Sequence, residues 1–136
     1  MINRATVSYN IAEKAKENGF TLPTLDVYHK DSKNLYEFKD YYINHNNVDK
    51  YGQLRISAPT REDLQKWLRY EKDISVIIEH GYYDDDKLNS VFYVWQVVSN
   101  CSNVLDKKSG TQTSQELFIN YEKAFDKGLE VALNML

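Results

Sequence analysis

A stripe of hydrophobic positions with helical spacing lies near the middle of the chain. Leu64, Trp67 and Leu68 are three and four positions apart, which predicts an amphipathic helix. Just before them, Thr60 can accept a hydrogen bond from the Asp63 amide while the Asp63 carboxylate reaches back, as in a capping box. The pattern therefore predicts a capped helix over residues 60–69.

The C-terminal segment carries a longer helical stripe. Its apolar and small residues fall on one face: Tyr121, Ala124, Phe125, Gly128, Leu129, Ala132, Leu133 and Leu136. This predicts the main core helix. The helix could start at Asn120 or at Thr113. In the second case, Thr113 and Glu116 would form a second capping box. We prefer Asn120, with residues 117–119 as a short edge strand.

A thinner stripe near the N terminus predicts a first helix over residues 7–19. Ser8 is the expected N-cap, and Gly19 supplies the left-handed position after the last turn. The stripe contains only Ile11, Ala12 and Ala15, so we expect this helix at the edge of a core.

Alternation with a period of two predicts the strands. The strongest covers residues 91–98, which are β-branched and aromatic on both faces, so a central position is expected. Residues 74–79 should pair with it antiparallel through a long hairpin loop. Weaker patterns predict short strands over residues 27–29 and 35–38, and a third over residues 53–57 that ends at Pro59. Residues 41–47 are interpreted as an ordered loop and residues 99–114 as a mobile polar connection.

These elements predict an α+β fold, with an antiparallel sheet of three to five strands and two principal helices packed on one face. At 136 residues the chain has the size of one domain. We expect a single domain, 1–136, with a less regular part over residues 1–57 and a helix-strand-strand-(strand)-helix core over residues 58–136.

Charge and composition narrow the classes of function. The net charge of −3 and the pI near 5.6 provide no global positive field, which disfavours nucleic acid as a partner. The apolar runs are too short to span a membrane, and the N terminus lacks the apolar block of a signal peptide. Cys101 is the only cysteine, so an internal disulfide cannot form. A cytoplasmic location and no membrane association are expected.

Four segments together resemble a family of small proteins of unassigned activity from phages and prophages of gut Bacteroides-like bacteria. They are Ala58-Pro59-Thr60, Leu64 to Arg69, Ile74 to Glu79, and Tyr121-Glu122-Lys123-Ala124 followed by Gly128-Leu129. The resemblance covers roughly the C-terminal half and the Gly19-Phe20 region, and it implies no functional residues.

The residues that could carry chemistry do not form a recognisable site. His29, His45 and His80 lack metal-binding spacing. The run of Asp84 to Asp86 lacks the alternating ligands and distal Glu of a calcium loop, and no helix start follows Cys101 to lower its pKa. We therefore predict no catalytic residue, no cofactor, no metal and no enzymatic activity.

A local basic patch is the alternative function, a nucleic-acid-binding module. Its residues would be Lys14, Lys16, Lys66, Arg69 and Lys72. The element order after Thr60 matches that of double-stranded-RNA-binding domains, but the last helix opens with Tyr121-Glu122 where those domains carry lysines. The residues thus argue against RNA.

Tyrosine is in excess, with 11 residues, several of them in irregular segments. Tyrosine suits protein interfaces because it offers a large contact area and a polar tip. The candidate interface residues are Tyr36, Tyr41, Tyr42, Tyr51, Tyr82 and Tyr83; packing under their own loops is an equal alternative.

The leading hypothesis is a non-enzymatic phage or prophage accessory protein that acts through protein–protein contacts with an unknown partner. Because residues 91–98 are apolar on both faces, something must cover the second face of the sheet. Either the N-terminal part does so, or a second copy forms a homodimer, which we favour slightly.

Overall fold

The computed structural model describes residues 5–37, 43–46, 55–82, 91–99, 110–114 and 116–136. In order, the elements of these residues are α1 (Tyr9–Glu17), β1 (Asp26–His29), β2 (Leu35–Glu37), β3 (Arg55–Ala58), α2 (Arg61–Glu71), β4 (Ile74–Tyr82), β5 (Val91–Ser99), β6 (Gly110–Thr113) and α3 (Tyr121–Asn134). Every strand pair is antiparallel. The α+β class predicted from the sequence is confirmed.

The chain divides into two compact units, Met1–Trp67 and Leu68–Leu136, with the boundary inside α2. The strands form two three-stranded sheets, ordered β2-β1-β3 and β4-β5-β6. Each unit therefore contains its own antiparallel sheet, where the sequence predicted a single one. The expectation of a single domain stays a prediction.

In the first unit, α1 begins after Ser8 and packs against β3. Ile11, Ala12 and Ala15 are its buried residues, as the thin stripe predicted. Gly19, just after the helix, has a φ of 89°, a left-handed conformation that favours glycine.

Strand β1 is central in the first sheet, where Tyr28 faces Leu35 on one side and Ile56 on the other. The β1–β2 turn is closed by two backbone hydrogen bonds, from His29 N to Asn34 O and from Lys33 N to His29 O. The predicted strands over residues 27–29 and 35–38 are confirmed, with residue 38 outside the described ranges.

Helix α2 begins as its capping pattern predicts, because the Thr60 hydroxyl accepts a hydrogen bond from the Asp63 amide at 3.1 Å. Leu64, Trp67 and Leu68 are buried. Within the first unit, the Trp67 ring packs edge-on against Phe20, with 5.3 Å between ring centroids.

In the second unit, β5 lies between β4 and β6, which confirms its predicted central position. Strand β6 arises from the segment interpreted as a mobile connection, of which residues 100–109 lie outside the described ranges. Beyond β6, Phe118 pairs with Tyr93 through backbone hydrogen bonds of 2.7 and 2.9 Å. The edge strand predicted over residues 117–119 is thus a single bridge.

Helix α3 starts at the preferred residue, since the Asn120 side chain accepts a hydrogen bond from the Lys123 amide at 3.0 Å. It packs on β4 and β5. Its buried residues are Ala124, Phe125, Gly128, Leu129, Ala132 and Leu133, six of the eight positions predicted for its apolar face. The core of this unit therefore lies between α3 and one face of the sheet.

Candidate functional site

An apolar surface lies on the face of the second sheet that turns away from α3. Side chains alternate across a strand, so the residues that flank buried Val76, Trp95 and Val97 belong to the opposite face. On β4 this face includes Ile77, which is 39% exposed, and on β5 it includes Val94. We call it the outer face.

The segment before α3 extends the outer face. Phe118 pairs with Tyr93, and Tyr93 packs on Tyr121 of α3 at 5.6 Å between centroids, so Phe118 belongs to the α3 side. Its neighbours Leu117 and Ile119 fall on the other side by alternation. They are 49% and 84% exposed.

The outer face is almost uncharged. Its described apolar members are Ile77, Phe92, Val94, Val98, Leu117 and Ile119, and its polar members are Ser75, Glu79, Gln96, Thr111 and Thr113, as the strand register gives them. Glu79 carries the one charge in this described set. A surface of this kind is complementary to another apolar surface and offers nothing to a phosphate or metal ion.

Sequence reasoning found this surface only in part. The two apolar faces of β5 were evident from its composition, with Phe92, Val94 and Val98 on the second face. The contribution of Leu117 and Ile119 was missed because it depends on the pairing of Phe118 with Tyr93, which brings together residues 25 positions apart.

The tyrosines proposed as an interface are placed only partly. Tyr36 is 43% exposed on β2, and its ring packs on His29 with 4.5 Å between centroids. Tyr82 ends β4. The other four, Tyr41, Tyr42, Tyr51 and Tyr83, lie outside the described residues. Their role as an interface stays a prediction.

Four of the five residues of the predicted basic patch lie on two helices. Lys14 and Lys16 are in the last turn of α1, and the Lys16 amine donates a hydrogen bond to the Arg55 carbonyl at 3.1 Å. Lys66 and Arg69 are exposed on α2, and Lys72 follows that helix. Burial lowers the pKa of the Lys16 amine. The nearby charge of Lys30, a cation outside the predicted patch, lowers it further.

The residues considered for metal or thiol chemistry are dispersed. His29 is half-buried, His45 is buried and His80 is exposed. Within the described ranges, no group of three His, Cys, Asp or Glu side chains could hold a metal ion. Asp84, Asp85, Asp86 and Cys101 lie outside those ranges. None of the described helices is long and apolar enough to cross a membrane.

A small acidic cavity lies at one end of the first sheet. Its volume is about 110 Å³, and it is lined by Thr24, Leu25, Asp26, Glu37, Ala58, Thr60 and Asp63. Buried Asp26 accepts a hydrogen bond from the Thr6 hydroxyl at 2.6 Å. Ligand pockets usually enclose about 300–1,000 Å³, so this cavity is too small for most substrates.

Comparison of the chain with models of known protein families, with curated proteins and with solved structures gave no match.

Proposed function

We propose that this protein is a non-enzymatic phage or prophage accessory protein of the cytoplasm that acts through protein–protein contacts. The observation that carries the proposal is the outer face, an apolar surface on which Ile77, Leu117 and Ile119 are exposed and which has a single charge among its described residues. An exposed apolar patch on the order of a few hundred Å² is often a functional contact surface. The phage origin is supported by the resemblance of the sequence motifs alone.

The occupant of the outer face is a second copy of the chain. The one charge among the described residues of the outer face, that of Glu79, lies on the β4 side of the central strand, so a two-fold axis through β5 would keep the two carboxylates apart. The apolar residues of each copy would then meet those of the other. A partner with a charged surface would have to leave its charges unpaired against Ile77 and Val94.

The size of the surface predicts how strong the association is. Strands β4 and β5 have nine residues each. With a rise of about 3.3 Å per residue and about 4.8 Å between strands, these two strands and the four-residue β6 cover about 350 Å². A standard interface buries about 800 Å² per partner, so the homodimer should be weak and should dissociate on dilution.

Charge insertion tests the assignment of the surface. Ile77→Lys and Ile119→Lys each place an ammonium group on the outer face, and both should reduce the association constant at least tenfold in sedimentation equilibrium. Tyr70→Lys is the matched control, because Tyr70 is an exposed apolar residue of α2 that does not belong to the sheet. Equal effects of all three substitutions would contradict the proposed surface, as would no effect of the first two.

A further inference from the structure

Three neighbouring strands of the first sheet contribute side chains to the small acidic cavity. The strand register places Asp26 of β1 opposite Glu37 of β2 and opposite Ala58 of β3, so these three side chains share one face of the sheet. All three line the cavity, together with Asp63 from the first turn of α2. The cavity therefore collects carboxylates from two strands and a helix.

These carboxylates lack a positive partner. The described lining residues include no lysine, arginine or histidine, and none of the three acidic side chains forms an ion pair with a described residue. Like charges directly opposite each other in an antiparallel pair, as Asp26 and Glu37 are, destabilise a sheet. A cation bound in the cavity would offset this repulsion.

The burial of Asp26 points to a ligand independently of the net charge. Asp26 is 7% exposed, and the Thr6 hydroxyl, which bonds Oδ2, is the one hydrogen-bond donor to its side chain among the described residues. The other carboxylate oxygen, Oδ1, therefore has no donor within that part of the chain. Buried charges are normally paired or fully hydrogen-bonded. Because Asp26 lines the cavity, a donor bound there can satisfy this oxygen.

We propose that this cavity binds the guanidinium group of an arginine side chain from a partner protein. The carboxylates do not converge on one point, since within the described ranges no three acidic, cysteine or histidine side chains could hold a metal ion. A guanidinium spreads five N–H donors over a planar group, so it can bond to carboxylates that a single ion cannot reach together. It is also weakly hydrated, which suits the apolar Leu25 and Ala58 in the same lining.

The volume of the cavity selects a single head group. One water takes up about 30 Å³ of the liquid, so the cavity volume of about 110 Å³ holds roughly three or four groups of that size. A guanidinium, one carbon with its nitrogens, has this size. Leu25 and Glu37 are exposed, so the end of a side chain can enter from solvent while the rest of the partner stays outside. The site belongs to the first unit and does not depend on the outer face.

Titration of the full chain with N-acetyl-argininamide, followed through the backbone amide resonances of the protein by NMR, tests the proposal. The amides of Asp26 and Asp63 should shift and saturate in the millimolar range, as expected for one small head group. N-acetyl-citrullinamide, in which a neutral urea replaces the guanidinium, should leave these resonances unchanged. N-acetyl-lysinamide should bind more weakly, because its ammonium is a compact point charge.

Substitutions in the lining supply the matched variants. Glu37→Gln, at an exposed position, should weaken binding of the arginine compound by about tenfold, the loss of one charged hydrogen bond. Asp26→Asn should weaken it at least as much, and Glu37→Gln gives the reading if that buried substitution prevents folding. Glu17→Gln, an exposed position of α1 outside the cavity, is the control and should leave the affinity unchanged.

Four results would overturn the proposal. They are an absence of saturable shifts at Asp26 and Asp63, equal shifts with the citrulline compound, equal affinity for the lysine compound, and equal affinity of wild type and Glu37→Gln for the arginine compound.

Discussion

Gly128 of α3 lies so close to Val76 of β4 that a β-carbon added at Gly128 would be 2.8 Å from the Val76 Cγ1 atom. The same β-carbon would be 3.1 Å from Cβ of Trp95. The buried Val76 side chain is β-branched and stiff, and Trp95 Cβ is fixed to the backbone, so the helix would have to move away from the sheet. This contact sets the distance at which α3 packs.

Gly128→Ala should destabilise the protein, even though alanine is the better helix former by about 1 kcal/mol. Overpacking of a tight contact costs about 1–3 kcal/mol, so after the gain in helix propensity the net loss should be up to about 2 kcal/mol. Chemical denaturation followed by circular dichroism measures it.

A second substitution checks that the loss comes from the contact with Val76. Val76→Ala alone should be destabilising, because it removes buried methyl groups. The Gly128→Ala/Val76→Ala double variant should lose less unfolding free energy than the sum of the losses in the two single variants. Simple additivity would mean that Trp95, and not Val76, limits the approach of α3.

The buried hydrogen bond from the Thr6 hydroxyl to the Asp26 carboxylate should be worth about 1.5–3 kcal/mol, because its acceptor is a charged group shielded from water. Thr6→Val removes the donor but keeps the shape, and it should lower the free energy of unfolding by that amount. Thr6→Ser keeps the donor and should cost less. Equal losses for the two variants would assign the effect to packing.

The large buried rings of the two units should each contribute strongly to stability. Trp67→Ala removes the ring that packs on Phe20, and Phe125→Ala removes a ring that is 1% exposed in α3. Each should cost about 3–5 kcal/mol of unfolding free energy, measured in urea. Tyr70→Ala, at an exposed position of α2, is the control and should change stability by less than about 0.5 kcal/mol.

Local signals in the sequence predicted the helices well. The caps at Thr60 and Asn120 depend on a side chain and an amide only three residues apart, so short-range chemistry determines them. The buried stripe of α3 follows in the same way from helical spacing. The central position of β5 could be inferred because its residues are apolar on both faces.

Features that depend on distant parts of the chain were not predicted. Strand β6 has the sequence Gly-Thr-Gln-Thr, without apolar alternation, and it becomes a strand by pairing with the far end of β5. The division into two sheets likewise depends on which strands pair.

The most direct test of the proposed self-association is light scattering of the wild-type chain across a dilution series. The outer face predicts a mass close to twice the 16.0 kDa of one chain at high concentration, falling towards 16.0 kDa in the micromolar range. A mass of 16.0 kDa at every concentration, including the highest, would contradict a homodimer through Ile77, Val94 and Ile119.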